Sequence, residues 1–462
     1  MTRAITLIAG VTILVLTATA AAPLPAASGE QKGFQYHDFD VNGHGVRVYG
    51  PREAAAGSPW ILLDSGGLRN ADVALLRLGF HLVVVDLPDP FGSPAAVAAW
   101  DAVYSEMTTK YGLSPKVVLE GYGLGGLIVH NWASANPLQV ACICAYSPVL
   151  DFKSWPGGKG TSEGDPALWQ ELQKAYGFAS EEEALAYPGN PVDTAKPIAE
   201  ARIPILHVHG RRGDAVPPRE NSTLFRKHYW EVRGSEFETI EKDGENPPPG
   251  LDDPEAIVHF VLRHTLYDGG KIPEPAPEEL APWRISGFSG SGGVTVRDGV
   301  VFLEKGNDMT GVTTSDPKFR MNYEITLKAM RVAGDDFFCG LTFPVGDDPC
   351  SLILGGWGGT IVGLSSLDYL DASENDTTRS IVFQKGRWYD IRLRVTQGRI
   401  QVWIDDESVV DVKTEGRNIG IRWEVEASVP LGIATWRTTG AFRDFQMKAF
   451  GSGIGDLSAI AP

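Results

Sequence analysis

Lys116–Val129, KVVLEGYGLGGLIV, decides how the first half of the chain is read. Val117, Val118 and Leu119 form a short apolar run led by two β-branched residues, as a buried strand requires. Gly121-Tyr122-Gly123-Leu124-Gly125-Gly126 then turns the chain, and Leu127, Ile128, His130, Trp132 and Ala133 continue with helical spacing. A strand, a tight glycine turn and a helix together present a nucleophile on a strained turn, in the pattern G-x-S-x-G. Gly121 and Gly125 keep that frame, but its middle position is Gly123. Glycine has no oxygen, sulfur or carboxylate with which to attack a carbonyl. The same letters also fit a loose G-x-G-x-x-G. That fingerprint belongs to the first strand of its domain and wants an acid about 20 residues later. Here at least two strands come first, and ACICAYSPVL offers no acid before Asp151.

The flanking sequence extends the strand and helix alternation. Gly33–Tyr49 reads as edge strands, Trp60–Asp64 as a buried strand ending in Ser65-Gly66-Gly67, and Phe80–Asp86 as another. Val97–Tyr111 has helical spacing and is stopped by Gly112. Val140–Tyr146, Ile203–Val208 and Glu236–Ile240 are further strands, and Pro254–Leu266 is a closing amphipathic helix. Residues 151–201, rich in glycine and proline with helical pieces, read as a cap insertion. This alternation predicts a parallel sheet covered on both faces. DGGKIPEPAPEELAP, residues 268–282, reads as a stiff linker. Beyond it the period changes to two, in Tyr323–Ala329, Trp388–Val395 and Arg399–Ile404, with Gly, Asp and Asn turns between. That pattern predicts an all-β sandwich, with Trp388 and Trp403 in its core.

The chain has 462 residues, 43% hydrophobic and 21% charged, within the range of folded multi-domain proteins. Its net charge of −17 is spread along the sequence, which argues against a nucleic-acid partner. Residues 1–20 read as a secretory signal peptide: Arg3, the apolar Ala4–Leu16 and the small Ala18-Thr19-Ala20. No other stretch is long and apolar enough to span a membrane, so a secreted or periplasmic protein is expected, with no span after signal removal. Cys142 and Cys144 are spaced for one side of a buried strand; Cys339 and Cys350 flank a hairpin turn, where export would permit a disulfide. No Cys/His cluster has zinc spacing, so neither metal nor cofactor is expected.

Residues 34–267 resemble the α/β-hydrolase superfamily in the turn at Gly121–Gly125, in HGRRGDAVPP, and in KDGENPPPGLDDPEAIVHF before the last helix. The resemblance makes Asp214 the triad acid and puts Asn246 where the family carries its histidine. No histidine lies between His228 and His259. With Gly123 and Asn246 in those places the resemblance implies the fold without its catalytic triad, and Asp214 becomes a turn aspartate capping the next helix. Ser65 and Ser147, the nearest serines by topology, are expected to bond nearby backbone. Residues 283–450 resemble concanavalin A-like jelly rolls, and more narrowly the bacterial 3-keto-disaccharide hydrolase family. The features are GLTFPVGDDPCSLILGGWGG, the hairpin GRWYDIRLRVTQGRIQVWIDDESVVDV and the closing PLGIATWRTTGAFRDFQMK. Where that family often closes with P-x-G-x-x-x-H, Trp436 stands near the histidine position. The expected architecture is multi-domain: an α/β-hydrolase-like parallel sheet with helices, then an all-β concanavalin A-like jelly-roll sandwich.

Concave jelly-roll faces bind sugars by stacking aromatic rings on C–H-rich sugar faces while polar groups bond the hydroxyls. The candidates are Trp357 in GGWGG, Arg422, Trp423 and Glu424 in IRWEVE, Trp436, and Asn375 in ASENDTT. Four flanking glycines leave Trp357 little to pack under. Asp405 and Asp406 look like metal ligands by composition, but tight hairpin turns select Asp anyway. Asn221 and Asn375 each begin an N-x-T sequon. The expected function is an exported protein that binds a mono-, di- or polysaccharide beside an inactive hydrolase-like domain. Its rivals are a glycoside or 3-keto-disaccharide hydrolase in the C-terminal half, with Glu324 and Glu424 as the paired carboxylates, and a non-enzymatic scaffold.

Overall fold

The computed structural model describes residues 21–450, apart from 66, 212–214, 244–250, 252 and 267–272. The segment 1–20 read as a signal peptide, Asp214 and Asn246 therefore lie outside the described residues. The first half builds β1 (Gly29–Gln31), β2 (Phe34–Val41), β3 (His44–Tyr49), β4 (Trp60–Leu63) and β5 (His81–Val85). It continues with β6 (Val117–Tyr122), β7 (Val140–Tyr146), β8 (Ile205–Gly210) and β9 (Phe237–Lys242). They form one nine-stranded sheet in the order β1-β2-β3-β5-β4-β6-β7-β8-β9. Strands from β4 onward run parallel, and β2 and β3 pair antiparallel at the edge. That order, with the glycine turn after β6, is the α/β-hydrolase fold.

Its helices are α1 (Asn70–Arg77), α2 (Pro94–Thr109), α3 (Gly125–Ala135), α4 (Pro166–Tyr176), α5 (Glu181–Ala186), α6 (Ala195–Glu200), α7 (Ser222–Glu231) and α8 (Glu255–Thr265). α2, α3, α6 and α7 bury one face of the sheet around Trp60, Trp100 and Trp132, and α1 and α8 cover the other. The central strands are largely apolar because both of their faces are covered, with Glu120 of β6 and His207 and His209 of β8 as buried exceptions. α4 and α5 lie in the cap, where Trp169 of α4 packs against Phe152.

The second half is a sandwich of two seven-stranded antiparallel sheets. The front sheet contains β10 (Arg284–Ile285), β13 (Met309–Thr314), β15 (Cys339–Val345), β16 (Asp348–Gly355), β17 (Ile361–Ser365), β18 (Arg379–Ser380) and β22 (Leu431–Trp436). The back sheet contains β11 (Val294–Arg297), β12 (Val300–Leu303), β14 (Tyr323–Ala333), β19 (Trp388–Thr396), β20 (Arg399–Ile404), β21 (Glu407–Lys413) and β23 (Thr439–Ala449). Alternate residues meet in the core, including Tyr323, Ile325, Leu341, Phe343, Leu393 and Ile433. Trp403 is not among them: it lies half-buried on the outer face, beneath Arg392 and Arg394. Alternation marked its strand correctly but assigned it the wrong face. Trp388 packs toward α8, and its indole N–H donates to Asp253 at 2.7 Å. Cys339 opposes Leu354 and Cys350 opposes Phe343, so the two thiols are out of register; all four cysteines are free and buried.

The back sheet's outer face packs on α8. Val300, Phe302, Met330, Val332 and Ala441 share one apolar cluster with Val258, Val261 and Leu262. Inside this seam His259 bonds Glu304 and stacks on Phe302 at 4.2 Å between ring centres. Burial pushes the Glu304 carboxyl up, but the His259 charge and hydrogen bond, with Arg263, more than offset it and hold it below its ordinary value. Removing one member of a buried ionic pair costs about 3–5 kcal/mol, because the survivor is stranded. Glu304→Ala should therefore lower the free energy of unfolding by that amount in a denaturant titration. An unchanged midpoint would show that the pair does not hold the seam.

Candidate functional site

Two places invite chemistry: the turn after β6 and the front face of the sandwich. At the turn Gly123 has φ +52°, and a Cβ built there meets nothing within 4 Å. The apex of the elbow is intact, unobstructed and without a side chain. Gly125 differs, since its Cβ would fall 2.0 Å from Oδ2 of Asp64. The Asp64 carboxyl thus lies against the first turn of α3. Burial raises it to about 6, while the Arg69 charge, the Tyr122 N–H and the Ser65 hydroxyl pull the other way.

Beneath it Asp72 and Glu120 share a hydrogen bond, and burial together with the Asp72 charge drives Glu120 well up. Tyr122 stacks on Tyr146 at 4.2 Å, with the Arg69 guanidinium over the Tyr122 ring. All nine histidines are described, and none lines the cleft of about 660 Å³ beside Asp64 and Ser65. His130 donates through Nδ1 to Gly126 O and shares a hydrogen bond with His207 through Nε2; His228 donates to Val192 O. The serine expected to bond nearby backbone at the end of β7, Ser147, is buried, and its N–H donates to Val208 O at 2.7 Å.

On the sandwich the front sheet turns Met309, Ser351, Ile353, Ser365 and Trp436 outward. Its opposite parity, Leu352, Leu364 and Ile433, fills the core. The outward residues floor a pocket of about 210 Å³, walled by Asp336, Phe337, Trp357, Arg422, Glu424 and Val425. Four of the expected residues therefore converge: Trp357, Arg422, Glu424 and Trp436. Trp357 is 42% exposed and sits in the left-handed region (φ 49°, ψ 54°), a conformation costing about 1–3 kcal/mol for a non-glycine residue. Arg422 donates to Glu424 at 2.6 and 3.2 Å and to Asp371 at 2.8 Å. The Arg422 hydrogen bond holds the Glu424 carboxyl below its ordinary value, so at neutral pH it is a carboxylate. Ser365 Oγ is buried at the floor with no hydrogen-bond partner among the described residues.

Arg331, 5% exposed, braces this pocket from behind. Its guanidinium donates to the carbonyls of Asp336, Gly355 and Gly359 at 3.1, 3.2 and 2.9 Å. It thereby ties the turn before Phe337 to the turn that carries Trp357.

Two expected residues do not belong. Trp423 is 80% exposed and is not in the pocket wall, because the helical turn it begins points its indole to solvent. The Asn375 amide is buried, donating to Leu364 O, Leu370 O and Asp371 O and accepting from Thr377, so it pins its own loop. Asn221 is likewise fully buried, accepting from the Leu150 and Asp151 N–H groups. Glu324 and Glu424 do not form a pair. Glu324 is held by Arg394 at 2.7 Å on the outer face of the back sheet, across the core from Glu424. Asp405 and Asp406 take positive φ in the β20–β21 turn, with Asp405 bonded to Arg387 and to the Asp390 N–H. Asp336, Ser351 and Ser365 carried no sequence signal, since only the register of the front sheet places them together.

Residues 278–448 match the 3-keto-alpha-glucoside-1,2-lyase-like domain family. None of the curated proteins matches the chain in sequence. Among solved structures, a puromycin hydrolase is similar over 49% of this chain and 37% of its own, at 18% identity and TM-score 0.38. The chain thus spans little more than a third of that enzyme. Acetyl xylan esterase 1 from Thermoanaerobacterium sp. JW/SL YS485 is similar over 53% of this chain and 87% of its own, at 16% identity and TM-score 0.39.

Asp64 yields a stability prediction. Its carboxyl titrates near 6 in the folded protein against an ordinary 3.8, so the fold favours the protonated form. The contribution is complete below about pH 4 and is lost as pH rises through 6, a penalty of about 3 kcal/mol at pH 7. Asp64→Asn should therefore gain up to that amount over the parent in urea unfolding at pH 7, and nothing at pH 3.5. An equal effect at both pH values would contradict it.

Proposed function

We propose that this is an exported, carbohydrate-binding protein whose saccharide site is the front-face pocket of the sandwich. The convergence of Trp357, Trp436, Arg422 and Glu424 on one pocket supports the reading. Two indoles offer faces for a sugar ring, a guanidinium–carboxylate pair offers fixed donors and acceptors, and the Ser365 hydroxyl lacks a partner that a sugar hydroxyl would supply. The strained backbone of Trp357 fits a ring held out for a ligand rather than packed for stability.

In the same reading the hydrolase-like domain is catalytically silent. Gly123 supplies no nucleophile. The Asp64 carboxyl also lies against the start of α3, where N–H groups would otherwise meet a developing oxyanion.

Asp336 and Glu424, two carboxylates on one pocket, together with the family match, favour a second reading as a lyase on 3-keto-glycosides. A carboxylate would take the C2 proton, made acidic by the neighbouring C3 ketone. The electron pair would form the enolate and then the C1–C2 double bond as the C1–O bond breaks, and the departing alkoxide would take up a proton. Turnover of a 3-keto-disaccharide by the full chain, lost in Glu424→Gln, would establish it; no turnover would leave binding alone.

Trp357→Ala should weaken saccharide binding roughly tenfold or more, since a stacked aromatic adds about 0.5–1.5 kcal/mol beyond the area it covers. The thermal melt should stay in place. A core tryptophan would instead cost about 3–5 kcal/mol of stability, and a collapsed melt would remove Trp357 from the site. A fluorophosphonate probe should label no serine of residues 34–267. Gly123→Ser, for which the turn has room, should not restore esterase activity in a p-nitrophenyl acetate assay. A labelled or rescued protein would overturn the silent-domain reading.

A further inference from the structure

A wide cavity lies where the two halves meet, between α7, β9 and α8 on one side and the Arg331–Asp336 end of the back sheet on the other. It encloses about 940 Å³. Seven of its lining residues are Arg or Lys and five are Asp or Glu, a local positive balance in a chain whose net charge is −17. Several of these cations are neutralised: Arg263 by Glu236, Arg437 by Asp308, and Lys385 by Glu238 and Asp335. Arg226 and Lys305 are not, and they have no carboxylate within salt-bridge distance among the described residues; Arg226 makes only a long 3.4 Å bond to Thr239. Arg226 precedes Trp230 by one helical turn, so both project from one face of α7. Trp230 is 46% exposed and lines the cavity. Asp336 lines both this cavity and the front-face pocket, so the two spaces meet across one turn.

We propose that this interdomain cleft is a second binding site, for the acidic residues of a uronate-containing saccharide. The Trp230 face stacks on a sugar ring, and Arg226 and Lys305, from opposite walls, take its carboxylate. A guanidinium and an ammonium that form no ion pair among the described residues supply the charge selectivity, and the exposed indole selects a ring rather than a simple anion. The shared Asp336 turn lets one extended chain occupy both spaces. That continuity rests on the saccharide reading of the front pocket; the cationic wall and Trp230 do not.

The test uses the full chain with hexagalacturonate and a neutral gluco-oligosaccharide of the same length, titrated by calorimetry. The acidic oligomer should bind more tightly than the neutral one. Its affinity should fall several-fold when NaCl is raised from about 50 to about 300 mM, because the contacts are partly screened. Arg226→Gln with Trp230→Ala should reduce its affinity at least tenfold. Lys305→Ala, on the other wall and outside α7, should reduce it separately, with the melts of both variants unchanged. Equal affinity for the two oligomers, or an unchanged affinity in both variants, overturns the cleft site. If the neutral oligomer binds in a Trp357-dependent way and the acidic one gains nothing, the front pocket stands and the cleft falls. If the acidic oligomer depends on Arg226 and Lys305 and neither oligomer depends on Trp357, the cleft stands and the front pocket falls. Failure of the parent to bind either overturns both.

Discussion

The packing of the back sheet on α8 is the constraint on which the rest of the arrangement depends. A hydrolase-like sheet ordinarily leaves the outer side of its last helix to solvent, but here α8 is apolar toward both its own sheet and a second domain. A buried histidine–glutamate pair at the centre of that seam is directional, whereas apolar burial is not. It fixes one register of the sandwich on the helix. Arg297 with Glu255, Lys385 with Glu238 and Trp388 with Asp253 extend that register toward the rim. The cavity between the halves is a product of this docking, and neither half would form it alone.

Arg331 carries a similar role at smaller scale. A guanidinium sealed from water without a carboxylate is costly unless its N–H groups find acceptors. It finds four main-chain carbonyls, three of them from two turns, and so joins those turns into one fixed wall. The glycines of GGWGG are what make this approach feasible: a Cβ at Gly355 would lie 2.2 Å from the guanidinium. One side chain thereby positions Trp357 toward the front pocket and Asp336 on the border of both cavities.

The parts of this molecule legible in the sequence are those where backbone geometry restricts residue type. The turn could be located because close approach of neighbouring atoms leaves no room for a side chain at Gly121 or Gly125. The sandwich showed as period two because its strands face a core on one side. Trp357 could be singled out because glycines cannot cover it. Legibility failed where a residue's surroundings come from elsewhere in the chain. An exposed-looking amide in a loop, Asn375, proved to be the loop's internal anchor, and Trp423, beside two true pocket residues, faces solvent. Trp403 alternates like a core residue but rests under two arginines, because alternation identifies two faces without saying which is buried. The floor of the front pocket is assembled from four strands whose order in the sheet is not their order in the chain.

The buried state of Asn221 bears on how this chain can be produced. Its amide closes the entry to the cap by accepting the Leu150 and Asp151 N–H groups, 71 and 70 positions earlier in the chain. Asn375 closes a loop of the sandwich in the same manner. Both stand in N-x-T triplets. In a eukaryotic secretory pathway a glycan is attached as the chain emerges, before either amide has reached its partners, and a glycosylated amide cannot then enter these sites. The fold is thus compatible with synthesis in a cell that leaves such triplets unmodified, and production elsewhere would call for removing the downstream threonines, Thr223 and Thr377, of which Thr377 bonds its own loop through its hydroxyl.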